Sequence, residues 1–180
     1  MSNKTTKLVD ASEISNIIKR ISHEIVESNS DLSNLAIIGI KSRGDILASR
    51  IANEISKISD DGFSLGTIDV TFHRDDYRTN LGSPKVGISE INFDVNGKDI
   101  ILIDDVLYTG RTIRAAMDEI FTYGRPKSTH LAVLVDRGHR ELPIKAEFVG
   151  KNFPTAGNEH IHVHVEEIDK EDLIYLETES

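Results

Sequence analysis

Residues 100–112, reading I-I-L-I-D-D-V-L-Y-T-G-R-T, constrain this chain more than any other stretch, because an apolar run passes directly into an acid pair and a small-residue turn. Ile100, Ile101, Leu102 and Ile103 are apolar and mostly β-branched, which predicts a strand covered on both faces. From Arg111 onward, Ile113, Ala116, Met117, Ile120 and Phe121 recur at helical spacing. The polar residues between them fall at the carboxyl end of a strand.

In an open parallel sheet that end is where ligands bind, and the loop entering the helix offers unpaired N–H groups and a positive dipole end to an anion. Thr109, Gly110 and Thr112 suit a phosphate cradle: Gly110 permits close backbone approach, and the hydroxyls donate to phosphate oxygens. Asp104 and Asp105 would repel a phosphate, so they are expected to accept hydrogen bonds from ribose hydroxyls or to hold Mg²⁺ through water. The parts add up to a site for a ribose 5-phosphate with a metal nearby. No G-x-x-x-x-G-K-[ST] and no G-x-G-x-x-G occurs, which disfavours an ATPase or a dinucleotide enzyme.

A chain of 180 residues suffices for one α/β domain spanning 1–180 and is short for two. Cysteine is absent, which removes disulfides and thiolate zinc sites and permits a reducing compartment. Residues 1–10 are polar, and no stretch reaches membrane-spanning length, so a soluble cytoplasmic protein with no membrane partner is expected. The net charge of −9 is uneven: in residues 166–180 seven acids face Lys170 alone, which places −6 there and leaves −3 for the rest. Global charge therefore does not decide for or against a nucleic-acid partner; the folded surface does.

Along the rest of the chain, Ile14, Ile17, Ile18, Ile21 and Ile25 predict an amphipathic helix with Ser12 as N-cap, fading by Asn29. Leu35–Ile40 reads as a buried strand, Lys41–Asp45 as a polar turn, and Ile46, Leu47, Ile51 and Ile55 as a second helix. Strands are expected at Thr67–Phe72, Leu131–Val135, Phe148–Gly150, Ile161–Val165 and Leu173–Leu176, with a long polar stretch over His73–Glu90. His160, His162 and His164 alternate on one strand face, where a solvated or interface role is expected ahead of metal binding.

Residues 100–112 resemble the phosphoribosyl pyrophosphate (PRPP) signature of type I phosphoribosyltransferases. Val133–Thr155, V-L-V-D-R-G-H-R-E-L-P-I-K-A-E-F-V-G-K-N-F-P-T, narrows the resemblance to the PyrR family, bacterial regulators of pyrimidine operons that are also uracil phosphoribosyltransferases. G-I-K-S-R-G-D at the first polar turn and R-D-D in the long loop stand in the same order, so the resemblance runs through most of the chain. It implies a mainly parallel sheet flanked by helices, with a small hood over the base built from terminal and late segments, including about 136–160. It implies that Ser42, Arg43 and Gly44 bind PRPP together with Ile100, Ile101, Leu102, Ile103, Asp104, Asp105, Val106, Leu107, Tyr108, Thr109, Gly110, Arg111 and Thr112. Arg74, on a loop that closes over PRPP in the family, would act in catalysis with Asp104 and Asp105, the last two also serving Mg²⁺. Val135, Arg137, Lys151 and Phe153 would meet the base, and Arg20, His23, His139, Arg140, Lys145 and Lys151 would meet RNA. Ser28 departs from the family's pattern, where Arg is found.

The implied function is conversion of uracil and PRPP to UMP and pyrophosphate, joined to UMP-responsive binding of operon leader RNA in a homo-oligomer. A regulator with vestigial catalysis, and a transferase for a purine or orotate, are the alternatives.

Overall fold

The computed structural model describes residues 4–70 and 88–179. β1 (Lys4–Asp10) runs directly into α1 (Ala11–Ser28), and a 3-10 turn at Leu32–Asn34 leads into β2 (Leu35–Ile40) and α2 (Gly44–Ile58). β3 (Ser64–Ile68), β4 (Asp99–Leu107), α3 (Arg111–Tyr123), β5 (Ser128–Asp136) and β6 (Phe148–Asn152) follow. The chain closes with β7 (Glu159–His164), the short helical turn α4 (Glu166–Asp169) and β8 (Leu173–Thr178).

The larger sheet is five-stranded and parallel, in the order β3-β2-β4-β5-β6. Side chains alternate across it, as the two-residue period of a strand requires. Ile101 and Ile103 join Ile37, Leu134 and the buried faces of α1 and α2 in one core, whereas Ile100 and Leu102 join Ile38, Val133 and Ile113, Ala116 and Ile120 of α3 in the other. Every residue of β2 is buried, which explains its unbroken apolar run.

Several boundaries differ from the expectation, and two of them have a local cause. Asp10, rather than Ser12, caps α1: it is the last extended residue, and its Oδ1 accepts from Glu13 N at 3.0 Å. The third strand ends at Ile68 instead of Phe72, because its ladder stops where its partner β2 stops, at the Ile40–Ile68 pair.

The smaller sheet is three-stranded and antiparallel, in the order β1-β8-β7, so it brings both ends of the described chain together. Val9, Ile161, Val163 and Ile174 pack into the core shared with α1 and α2. On β7 the alternate residues, His160, His162 and His164, stay half-buried.

Candidate active site

The carboxyl ends of β2 and β4, the amino end of α3 and the strand β7 enclose a cleft of about 340 Å³. Its floor is the polar end of β4, which remains a strand through the acid pair as far as Leu107. Each carboxylate is pinned by the next peptide group: Asp105 N donates to Asp104 Oδ1 at 3.0 Å, and Val106 N donates to Asp105 Oδ1 at 2.7 Å. Asp104 is 4% exposed, so its charge sits in a largely water-excluded wall, where it acts more strongly on a bound sugar than it would in solvent.

Beyond β4 the chain turns at Gly110, whose φ of 93° lies in the left-handed region open to glycine. A β-carbon there would also come within 3.3 Å of Ile144 Cδ1. Thr109 Oγ1 accepts from Arg111 N at 3.2 Å, and Gly110, as N-cap, offers no side chain to the N–H groups that follow. Thr109, Gly110 and Thr112 all line the cleft. An anion seated there meets first-turn N–H groups and the positive end of the helix.

The opposite rim is the β2–α2 turn. A β-carbon on Gly44 would lie 2.5 Å from the Ile103 carbonyl oxygen, so glycine lets this turn press against β4 and delivers Arg43 to the cleft. The Lys41–Ser42 peptide is cis. Arg43 is held side-on by Asp169 of α4, with Nε 3.1 Å from Oδ2 and Nη2 2.8 Å from Oδ1. Asp169 Oδ2 also accepts from Val165 N at 2.9 Å. Burial pushes the Asp169 carboxyl up, but Arg43 and the Val165 N–H together hold it below the usual range.

At the third corner Arg137 is 5% exposed. Its guanidinium carbon lies 4.1 Å from the centre of the Tyr108 ring, Nε donates to Thr155 Oγ1 at 3.2 Å, and Nη2 donates to the Glu159 carbonyl. Burial draws its pKa down, against the pull of Tyr108 and Glu159. The facing wall is β7, with His160, His162 and His164. Each histidine stands near a carboxylate: His160 Nε2 is 3.5 Å from Glu179, His164 Nδ1 is 3.3 Å from Glu171, and His162 Nε2 is 2.9 Å from Glu177 but off the line of a hydrogen bond. No three His, Cys, Asp or Glu side chains among the described residues converge on a metal position.

The cleft thus gathers Arg43, Asp104–Gly110, Thr112 and Arg137 of the expected residues. Ile100, Ile101, Leu102 and Ile103 lie beneath it as core, Gly44 is buried under the rim, and Ser42 is exposed. Arg111 turns outward to Glu141, with Nε 2.7 Å from Oε2. Val135 is fully buried, Phe153 packs against the core of α1 and α2, and Lys151 Nζ pairs with Glu13 Oε1 at 2.6 Å, so none of these three lines the cleft. Arg74 lies outside the described residues.

Of the residues expected to meet RNA, Arg20, His23, His139 and Lys145 are exposed. Arg20 Nη2 also reaches the carbonyls of Val149 and Gly150, at 3.1 and 2.7 Å, which seats α1 on β6. Arg140 is turned inward: it donates to the carbonyls of Tyr108 and Ile144, at 2.7 and 3.0 Å, and to the Asp136 carboxylate. That clip ties the segment after β5 to the turn between β4 and α3.

Sequence reasoning missed the β7 histidines as a cleft wall and Asp169 as the partner of Arg43. The His-x-His-x-His alternation was readable, but the surface its face would meet was not.

The phosphoribosyl transferase domain model matches residues 4–168. Solved structures agree in fold: a hypoxanthine phosphoribosyltransferase from Staphylococcus aureus matches with a TM-score of 0.68 at 22% identity, covering 94% of this chain and 90% of that one. The hypoxanthine phosphoribosyltransferase of Trypanosoma cruzi matches with a TM-score of 0.71 at 19% identity, covering 97% of each chain. The fold is that of a type I phosphoribosyltransferase. Among curated relatives, "Bifunctional protein PyrR" of Caldicellulosiruptor bescii is 48% identical over 174 residues, 97% of this chain and 96% of the relative. The protein of the same name from Thermus aquaticus is 52% identical over 171 residues, 94% of each chain. The chain belongs to the PyrR family of phosphoribosyltransferases.

Proposed function

We propose that this protein transfers the phosphoribosyl group of PRPP to uracil, giving UMP and pyrophosphate, and that in the cytoplasm it also binds pyrimidine-operon leader RNA in response to UMP. The observation that carries the catalytic reading is the division of one cleft into three chemistries: an open helix start at Thr109–Thr112, an anchored carboxylate pair at Asp104 and Asp105, and a cation at Arg43. The 5′-phosphate takes the α3 turn, and the ribose hydroxyls take the carboxylates. Breaking the anomeric C–O bond develops positive charge on the sugar and negative charge on pyrophosphate. Asp104 and Asp105 stabilise the first, and Arg43 stabilises the second.

The base takes the end of the cleft near Arg137. Two adjacent carboxylates without a third protein ligand among the described residues fit Mg²⁺ that arrives with the diphosphate and completes its shell with substrate oxygens and water. When bound, the ion supplies charge neutralisation of the phosphate oxygens. Arg74 keeps the catalytic role that the family resemblance gives it.

For RNA, the supporting observation is that Arg20 and His23 are both exposed on α1, where Arg20 also reaches β6, the strand at the edge of the parallel sheet. With His139, Lys145 and Lys151 they supply phosphate contacts, while Arg140 acts from within by shaping the segment that carries His139 and Lys145.

The test is a PRPP-dependent assay of uracil, orotate, hypoxanthine and guanine side by side, with Mg²⁺ and with excess chelator. Uracil turnover that requires the ion is expected; preference for a purine or orotate overturns the base assignment. Leader RNA titrated at several salt concentrations should bind more weakly as salt rises, with a shallower slope for Arg20→Ala/Lys145→Ala and tighter binding with UMP. Equal affinity for leader and scrambled RNA, with and without UMP, removes the regulatory half.

A further inference from the structure

Two arginines tie α2 to the segment between β7 and β8, and they are tied differently. Arg50 is held on both edges: Nε and Nη2 donate to Glu167 at 3.0 and 2.6 Å, and Nη1 and Nη2 donate to Asp172, both at 2.8 Å. Arg43 is held on one edge only, through Nε and Nη2, by Asp169. A guanidinium has five N–H groups, so among the described residues both N–H groups of Arg43 Nη1 and one of Nη2 make no hydrogen bond. Arg43 lines the cleft and Arg50 does not. The clamp itself is stiff, because the Asp169 side chain is 15% exposed and one oxygen also takes the Val165 N–H.

We infer that Asp169 is a positioning residue for pyrophosphate: it fixes the plane of Arg43 so that the Nη1 edge faces the diphosphate of PRPP. This inference rests on the phosphoribosyl-transfer reading and adds to it a residue outside the motifs that define that reading. Two effects of Asp169 on an anion oppose each other. Its charge repels pyrophosphate, while its grip keeps a long, rotamer-rich side chain in one pose. Arg43 stands between Asp169 and the cleft, and the arginine's fork is most effective against phosphate when its plane is fixed. The grip therefore wins. Because Asp169 lies between the two hood strands, the same contact ties the β7 wall to the pyrophosphate rim.

The experiment is calorimetric titration of Mg²⁺–pyrophosphate and of Mg²⁺–PRPP into the intact wild-type protein and into Asp169→Asn, Asp172→Asn, Arg43→Ala and Arg43→Ala/Asp169→Asn variants. Asp169→Asn should weaken both ligands on the order of tenfold, the scale of partners that orient a primary ligand. It should raise the KM for PRPP and leave the KM for uracil unchanged. Asp172→Asn, which loosens the Arg50 clamp, should lower the melting temperature without this loss of affinity. In the Arg43→Ala background, Asp169→Asn should have no further effect on pyrophosphate. Unchanged or tighter pyrophosphate binding in Asp169→Asn overturns the inference and makes Asp169 a mere counter-ion. The same loss in Asp172→Asn overturns it too, by reducing it to general loosening of the hood. If wild type binds neither ligand, the phosphoribosyl-transfer reading fails and this inference falls with it.

Discussion

The two sheets of this molecule meet the same cleft but are held together by different forces. The parallel sheet is an aliphatic solid: Ile37, Ile38, Ile100, Ile101, Leu102, Ile103 and Val133 are at most 1% exposed, and its ligand groups project from strand ends that burial fixes. The antiparallel sheet buries one apolar face against α1 and α2, and charge adds the tie to the rim of the cleft: Arg43 to Asp169, and Arg50 to Asp172 and Glu167. Of the seven acids in residues 166–180, Glu167, Asp169 and Asp172 are paired with arginines. Hydrophobic burial is not screened by salt and does not depend on the charge state of carboxylates, whereas ion pairs are weakened by screening and by protonation. A cleft floor set by burial and a hood rim tied in part by charge should respond to different perturbations.

The largest separation is expected at the end of β4. Asp104→Asn/Asp105→Asn keeps the side-chain size and an oxygen that accepts the next N–H, so the fold should survive with an unchanged circular dichroism spectrum. Turnover with uracil and PRPP should fall on the order of 10² or more, because the charge opposite the developing sugar cation is gone. A folded double variant with near-normal turnover would remove the acid pair from the chemistry.

Next comes a substitution that attacks the parallel sheet through volume. Gly44→Ala places a methyl group 2.5 Å from the Ile103 carbonyl oxygen and 3.1 Å from Asp104 Cα, so the β2–α2 turn must back away from β4. Urea denaturation should show a loss of about 1–3 kcal/mol, the usual cost of overpacking. PRPP affinity should fall along with it, since Arg43 moves with the turn. Full stability in the alanine variant would mean the two strand ends are less tightly joined than their geometry indicates.

The parallel sheet and its ligand end were legible in the sequence because both rest on local patterns. Leu35–Ile40 is a strand with the boundaries its apolar run announces, and Thr109–Gly110 is a turn because glycine and hydroxyls stand where a strand becomes a helix. The hood was less legible. K-T-T-K at the head of β1 has no apolar alternation; it is a strand because Leu173–Thr178, far away in sequence, offers it a ladder. Asp169 reads as one acid among many until the fold places Arg43 beside it. Phe153 and Lys151 were assigned to the base from a linear motif, and packing sends them elsewhere, to the core and to Glu13.

An intermediate effect is expected from the charge clamp. Arg50→Met retains the aliphatic stem but strands Asp172 and Glu167 without their guanidinium. The pair is partly buried, with Arg50 and Asp172 at 20% and 16% side-chain exposure, so the cost should be about 2 kcal/mol, between that of a surface ion pair and that of a buried one. Hydrogen exchange should quicken in β7 and β8 and hold steady in β2 and β4. Uniform quickening in both sheets would erase the distinction between them.

The smallest effect, and the sharpest test of the comparison, is acid loosening of the hood ahead of the central sheet. In Asp172, as in Asp169, burial raises the carboxyl pKa, but the arginine partner and a backbone N–H together bring it below the usual value. An aspartate in the unfolded chain titrates near about 3.9. Above that value both states are ionised and the clamp contributes its full stability; as the pH falls below it, the unfolded chain takes up protons first, and the contribution is lost as the pH passes through the lower folded values. The contribution of the two aspartates should therefore hold between pH 7 and about pH 4.5, and the clamp should begin to release below about pH 4. Tyr175 is a local reporter, since its ring stacks on His162 with centroids 4.8 Å apart at an interplanar angle of 14°. On acid titration followed by nuclear magnetic resonance, the Tyr175 ring signals should move toward unstructured positions while the methyl signals of Ile37, Ile101 and Ile103 keep their native shifts. High salt should bring the Tyr175 change to a higher pH, because screening weakens the arginine pairs that depress the carboxyls. If the isoleucine and tyrosine signals shift together at every salt concentration, the two sheets unfold as one cooperative unit and the charge clamp sets no separate threshold.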